Sequence, residues 1–462
     1  MKRKFISSCY ILILFALVFT LGGCKLGKHY TRPELSLPAQ LDSTATDSVS
    51  LSDYSWSQFY TDTTLQALIR KTLAYNKDML IAAARVKELA AMKRIDYANM
   101  FPSLGLKIYA EKGGTDEKGQ AYSSDDEFGI KPGVTWELDL WGNLRWARDK
   151  SLAEFMESVE NQRALKMSLI AQVAQAYFEL VALDNELAIV RQTVNARKES
   201  SRLARIRFEG GLTNETAFRQ AQVELARTAT LVPDLEKKIS VKENDIAFLT
   251  GEYISHITRA KLPDDVALPD VLPVGLPSVL LERRPDVRQA EQNLIAANAA
   301  VGVAFTDMFP RLALTASYGR ESEELSNLLQ SPYHLISGTL LTPLFAFGKN
   351  RAKLKARKAA YEQAVYNYEK VVLNAFKEAR NAIVEFNKTK EIYNSRKLLE
   401  KSTKSALDLA QLQYINGVIG YMDLLDAQRS YLDAQIGLSN AVRDKQITMV
   451  NLYKALGGGW DK

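Results

Sequence analysis

Few side chains in this sequence could do covalent chemistry, and the most informative is Cys24. It closes the run Leu21-Gly22-Gly23-Cys24, after a basic head, Lys2-Arg3-Lys4, and an apolar stretch over residues 10–21. As a helix that stretch spans about 18 Å, too short for a hydrocarbon core of about 30 Å. A basic head, a short apolar run and small residues at its exit make a secretory signal, residues 1–23. The last four residues have the form of a bacterial lipobox, in which the thiol accepts diacylglycerol and the cysteine becomes the new first residue. Lys25 follows, where an inner-membrane retention signal would carry Asp. The expected product is a palmitate-bearing outer-membrane lipoprotein with a covalent lipid on Cys24 and no other cofactor.

The remaining reactive residues narrow the chemistry further. Cys9 lies inside the signal, so the body of the chain has no disulfide, cysteine metal site or cysteine nucleophile. His29, His256 and His334 are scattered without ligand spacing, and the nine methionines form no paired cluster. Gly457-Gly458-Gly459 precedes no helix and is a weak nucleotide signal. With no phosphate loop and no Ser/His/Asp constellation, the chain is expected not to be an enzyme and to hold no metal. The net charge of +6 over 462 residues includes the three cations of the head, which leaves about +3. That balance does not fit a nucleic-acid partner.

The chain is written twice. Met100-Phe101-Pro102-Ser103-Leu104 recurs as Met308-Phe309-Pro310-Arg311-Leu312, and Trp141-Gly142-Asn143-Leu144-Arg145 as Phe347-Gly348-Lys349-Asn350-Arg351. The first match is offset by 208 and the second by 206, and the 206 spacing continues to Gly251 and Gly457. A duplicated structural unit explains this. Each copy holds one long segment free of Gly and Pro, Asn143–Glu209 and residues 349–416. As helices these would be about 100 Å long. Leu169, Val173, Ala176, Leu180, Leu183, Leu187, Val190 and Val194 recur at alternating steps of four and three. A second seam runs through Val365, Tyr368, Val372, Ala375, Ala379, Ala382 and Phe386. Sustained heptads in helices of this length predict coiled-coil packing.

Two short alternating segments precede each long helix, at about 103–112 and 127–140, then about 311–320 and 335–345. Leu104, Leu106, Ile108 and Ala110 alternate with Gly105, Lys107, Tyr109 and Glu111, and the fourth segment is the least clean. Strands of about ten residues, apolar on one face and polar on the other, are the pattern of transmembrane barrel strands. Half-buried hairpins of a soluble domain give the same periodicity. Four strands cannot close a barrel, and an open edge does not exist in lipid. Either the hairpins are soluble or several chains close the barrel together; the lipid anchor favours the second.

Further residues carry a resemblance over essentially the whole mature chain. They are Tyr30-Thr31-Arg32-Pro33, Trp56 with Phe59, Asp62 and Leu65, and Leu281-Glu282-Arg283-Arg284-Pro285-Asp286-Val287 followed by Gln289-Ala290-Glu291. Pro343-Leu344-Phe345, Leu424-Leu425-Asp426-Ala427-Gln428-Arg429 and Leu456-Gly457-Gly458-Gly459-Trp460 complete the set. The sequence resembles a TolC-like outer-membrane factor of the lipoprotein branch that serves RND-type multidrug or copper/silver efflux systems. The resemblance implies a mostly α, internally duplicated chain whose long coiled-coil helices build a periplasmic α-barrel. Four β-strands per chain would complete a 12-stranded transmembrane barrel in a homotrimer. It also implies a division into residues 24–63 (lipidated segment and equatorial region), 64–251 and 278–457 (the two repeats), 252–277 (a Pro-rich connector) and 458–462 (a tail). The implied partners are a periplasmic adaptor, an inner-membrane RND-type pump and outer-membrane lipid. The implied role is a passive exit duct, with a protein-secretion duct of the same fold or a non-conducting envelope-spanning lipoprotein as alternatives.

By position, the resemblance places a periplasmic gate at Asp423 and Asp426, three apart on one helical face, and at Tyr414. A basic latch residue of some members falls at Ile419 and its acidic partner at Ala217, which leaves Glu215 as a substitute. The resemblance also implies adaptor-docking tips at Gly210, Gly211, Leu212 and Thr213 and at Gly417, Val418 and Ile419, with the apolar side chains expected to be exposed. Lys107, Glu111, Lys131, Glu137 and Asp139 would be the charges tuning passage through a lumen.

Overall fold

The computed structural model describes residues 25–35, 51–115, 123–124, 126–253, 256–260, 277–342 and 347–460. Cys24, the signal, most of the Pro-rich connector and Pro343-Leu344-Phe345 lie outside the described residues. The helices are α1 (Trp56–Phe59), α2 (Thr63–Tyr75), α3 (Lys77–Ala98), α4 (Asn143–Glu209), α5 (Glu215–Ala229), α6 (Leu231–Leu249), α7 (Pro277–Arg283), α8 (Pro285–Thr306), α9 (Lys349–Ile415) and α10 (Tyr421–Ala455). The main strands are β1 (Ser103–Glu111), β2 (Glu127–Leu138), β3 (Arg311–Ser322) and β4 (Pro332–Leu341). The chain divides into two compact units, one of residues 25–35, 85–159 and 289–369, the other of 51–84, 160–288 and 370–460.

The duplication is visible element by element. α3 and α8 are both 22 residues long and start 208 apart, and α4 and α9 are both 67 residues long and start 206 apart. The 35-residue α10 of the second copy is matched in the first by two helices, α5 and α6. Pro233 explains the break: its nitrogen cannot donate to the carbonyl of Ala229, and its ring crowds that carbonyl.

In the first unit, β1-β2-β3-β4 form one antiparallel sheet. The two copies meet in it: β2 of the first pairs with β3 of the second, from Phe128 opposite Ser322 to Leu138 opposite Leu312. Leu104, Leu106, Ile108, Val134, Ile336 and Leu340 lie on one face and are exposed, Ile336 at 88%. β4 begins three residues earlier than the sequence suggests, and Leu335 and Leu341 fall on the polar face. Those two leucines break the alternation there.

In the second unit the heptad seam of α4 is the spine. Leu169, Val173, Ala176, Leu180, Leu187 and Val190 are buried, with Leu183 and Val194 packed beside them. The α9 seam is buried through Val372, Ala375, Ala379, Ala382 and Phe386. Asp62 caps α2 by accepting the backbone N–H groups of Thr64 and Leu65, and its other oxygen accepts the Tyr177 hydroxyl at 2.6 Å. Arg284, 4% exposed, pairs bidentately with Asp286 and reaches Glu378 and the carbonyl of Ala455. This arginine ties the start of α8 to the middle of α9 and the end of α10, so the Arg-Arg-Pro-Asp segment serves the fold. Among the described residues no helix is long and apolar enough to cross a membrane.

Candidate functional site

Two surfaces hold the residues singled out by sequence: the polar face of the sheet in the first unit, and the helix tips in the second. On the sheet, Lys107 lies opposite Lys131, Glu111 opposite Glu127, and Gly129 opposite Glu321. Lys131 is paired with Glu321, and the Tyr109 hydroxyl lies within hydrogen-bond distance of both Glu127 (2.7 Å) and Glu321 (2.5 Å), with one proton to donate between them. The ammonium of Lys107 lies 4.3 Å from the Tyr109 ring centre. Tyr109, Glu127, Lys131 and Glu321 thus fasten β1, β2 and β3 through their polar side chains, leaving a face of paired charges opposite the apolar one.

Asp139 is a correction. It lies one residue beyond β2, where its carboxylate accepts the backbone N–H groups of Leu144 (3.0 Å) and Arg145 (3.1 Å) and the Arg145 guanidinium (2.9 Å). An anion among the free N–H groups at the start of α4 anchors that helix, so its carboxylate is engaged there and not on the strand face.

At the tips both long helices end in the same way. The N–H of Leu212 reaches back to the carbonyl of Arg207 at 2.7 Å, and that of Val418 to Gln413 at 2.9 Å. Gly211 (φ +71°) and Gly417 (φ +75°) supply the left-handed residue this closure needs. Leu212 and Val418 are 74% and 70% exposed, while Thr213 and Ile419 are half-buried, so Ile419 departs from expectation. Ala217, Ala221, Tyr421 and Leu425 pack with Ala204 beneath the turns, which is why a buried Ala stands at 217.

Tyr414 is engaged within its own chain. Arg207 stacks on its ring at 4.8 Å and donates to its carbonyl at 3.2 Å, and Tyr421 meets it edge-on at 5.9 Å. Burial pushes the Tyr421 hydroxyl up to about 12, so it stays neutral. Glu215 pairs with Arg219 one turn along α5. Asp423 and Asp426 are both exposed on α10, and Asp423 also accepts the backbone N–H of Gly420 at 3.0 Å as part of the helix cap.

The sequence reading missed a buried cluster behind the tips. Arg197 (5% exposed) and Arg429 both bind the carboxylate of Glu224 (3%), and Thr228 (1%) is bonded to Arg197. One carboxylate therefore joins α4, α5 and α10. The hydrogen bond from Arg429 outweighs burial and holds Glu224 below the usual carboxylate range. Burial pulls Arg197 downward against the attraction of Glu224, yet a guanidinium stays protonated. A signal existed: steps of three and four carry the α4 seam past Val194 to Arg197, Ser201 and Ala204, and a charge on a seam requires a partner.

With this geometry in view, the comparisons decide the family. The profile of the family described as Outer membrane efflux protein matches residues 68–252 and 276–458. The chain belongs to this family. Relatives of the outer membrane efflux proteins include the cation efflux system protein CusC of Escherichia coli O6:H1, 29% identical over 98% of this chain and 99% of its own. The antibiotic efflux pump outer membrane protein ArpC of Pseudomonas putida is also 29% identical, over 97% of this chain and 96% of its own. The solved outer-membrane channel OprN superposes with a TM-score of 0.87 at 29% identity, covering 95% of this chain and all of that one. The protein is thus an outer-membrane efflux channel, and the exposed apolar face of its sheet is the surface such a protein turns to lipid.

Proposed function

We propose that this efflux channel works as the passive exit duct of a tripartite system. Three copies close a 12-stranded barrel, the tips dock a periplasmic adaptor, and an inner-membrane RND-type pump supplies the energy. The observation that carries this reading is the sheet itself. Four antiparallel strands present an apolar face, and β1 and β4 each pair on one side only among the described residues. Unpaired N–H and C=O groups are untenable in hydrocarbon, so identical neighbours must complete the edges. Cys24 carries the lipid, for which the Leu21-Gly22-Gly23-Cys24 run is the support. Exposed Leu212 and Val418 at matching turns form the apolar contact for the adaptor. Cargo is set by the pump: CusC is named for cations and ArpC for antibiotics, and the two share the same identity with this chain.

A photoreactive residue in place of Leu212 tests the partner assignment in cells. Capture of an adaptor together with its pump is the expected result. Crosslinks confined to the protein's own copies, with the trimer intact, would remove the docking role from the tips.

Asp423 and Asp426 form the acidic gate ring in this reading. Threefold symmetry would bring each to the axis as a triplet, favouring cations. Asp426→Asn, which spares the Asp423 cap, should lower the cation preference of the channel in a planar bilayer by several-fold. An unchanged reversal potential and conductance would take Asp426 out of the gate.

A further inference from the structure

The residues following Cys24 lie in a built seat within the first unit. Lys25 is paired with Asp149, and its ammonium stands 3.4 Å from the ring centre of Trp146, itself only 3% exposed. Leu26 donates its N–H to the carbonyl of Trp141 at 3.1 Å, and its own carbonyl accepts the Trp146 indole N–H at 2.7 Å. Asn298 reaches the carbonyl of Lys28 at 3.2 Å. Further along, Arg32 binds both oxygens of Glu291 at 2.7 Å, and the Tyr30 hydroxyl adds a third contact at 3.1 Å. Gly142 completes the seat: a Cβ there would fall 2.8 Å from the Cα of Lys25.

The seat is at the base of the sheet. Trp141 follows the end of β2 by three residues, and its indole donates to the carbonyl of Pro310 immediately before β3. Its ring also packs on Phe309 at 5.2 Å. Amphipathic tryptophans mark the level where hydrocarbon gives way to water. Cys24 directly precedes Lys25 in the chain, so a lipid on it is tethered to the first seated residue. An acyl anchor on a loose tether could enter the bilayer anywhere within the tether's reach; seating the first residue after the anchor removes that freedom.

We propose that Trp146, Asp149 and Glu291 form a docking site for the chain's own acylated amino terminus, with Lys25 as the positioning residue that holds the lipid against the base of the sheet. This rests on Cys24 being the lipidated residue. Burial would raise the Asp149 carboxyl, but Lys25 and Arg148 hold it below its ordinary range, so the pair is charged at neutral pH. Arg32 and Glu291 give the strap a second hold, seven residues further on.

Trypsin digestion of outer membranes containing the full-length protein provides the test: Lys28 is exposed, but the backbone on either side of it is bonded to Trp141, Trp146 and Asn298 and must leave them to enter a protease cleft. Two variants are compared with wild type, Asp149→Asn, which leaves the residue after Cys24 unchanged, and Lys25→Gln. Both should be cut after Lys28 at least tenfold faster, while cleavage elsewhere in the body is unaltered. Wild-type rates in both variants would overturn the proposal. So would acceleration in Lys25→Gln alone, since Lys25 would then not act through Asp149. Palmitate labelling is read in the same samples: a wild-type chain without label ends the lipidation reading, whereas a labelled chain with unchanged cleavage ends only the seat.

Discussion

Glu224→Ala should loosen the tip of the helical unit, costing about 3–5 kcal/mol. The carboxylate is 3% exposed and is the shared acceptor of Arg197 and Arg429. Its removal leaves two guanidiniums without their shared counter-charge, one of them buried and held only by the carbonyl of residue 224 and the Thr228 hydroxyl. The expected readouts are a lower thermal midpoint in detergent and new protease cleavage near the end of α4. Replacing all three members, Arg197→Met, Glu224→Met and Arg429→Met, should recover most of the loss, because an apolar cluster carries no uncompensated charge. A triple variant no more stable than Glu224→Ala would show that the ion cluster itself, rather than its balance, holds the helices. The pH dependence follows from the same geometry. Glu224 has a folded-state pKa below its ordinary value, so its contribution is complete above that ordinary value and is lost as pH falls through the depressed one.

The second large effect is expected on the sheet. Ile108 lies in the middle of β1 on the apolar face, opposite Ile130, and is 67% exposed. Arginine near the midplane of a barrel costs about 2–4 kcal/mol per chain, and a trimer would carry three. Ile108→Arg should therefore sharply reduce assembled protein in the outer-membrane fraction. Lys107→Ala, one residue away on the polar face, should leave assembly intact and alter only conduction. Equal assembly of the two variants would mean that the apolar face does not meet lipid.

These two sites differ in how far they could be read from the chain. The alternation that assigns Ile108 to one face and Lys107 to the other is a local property of a strand, set by successive side chains pointing to opposite sides. The fourth strand was harder because Leu335 and Leu341 lie among polar neighbours, so its start was legible only from its pairing with β3. Asp139 shows the same limit. It continues the alternation of β2, yet its carboxylate is taken by N–H groups five and six residues ahead, since the strand has already ended.

By itself the sequence determined the duplication, the two 67-residue helices with their seams, and the two-faced strands. Each follows from residue types repeated at short, regular spacing. The tertiary structure decided which strands of the two copies pair, that Ile419 and Thr213 are half-buried, and that Lys25 finds Asp149 across 124 residues. It also decided that Arg429 meets Glu224 across 205. Such contacts depend on how helices are rotated and set against one another. A seam shows that a charge such as Arg197 must be answered, but only packing chooses which side chain answers it.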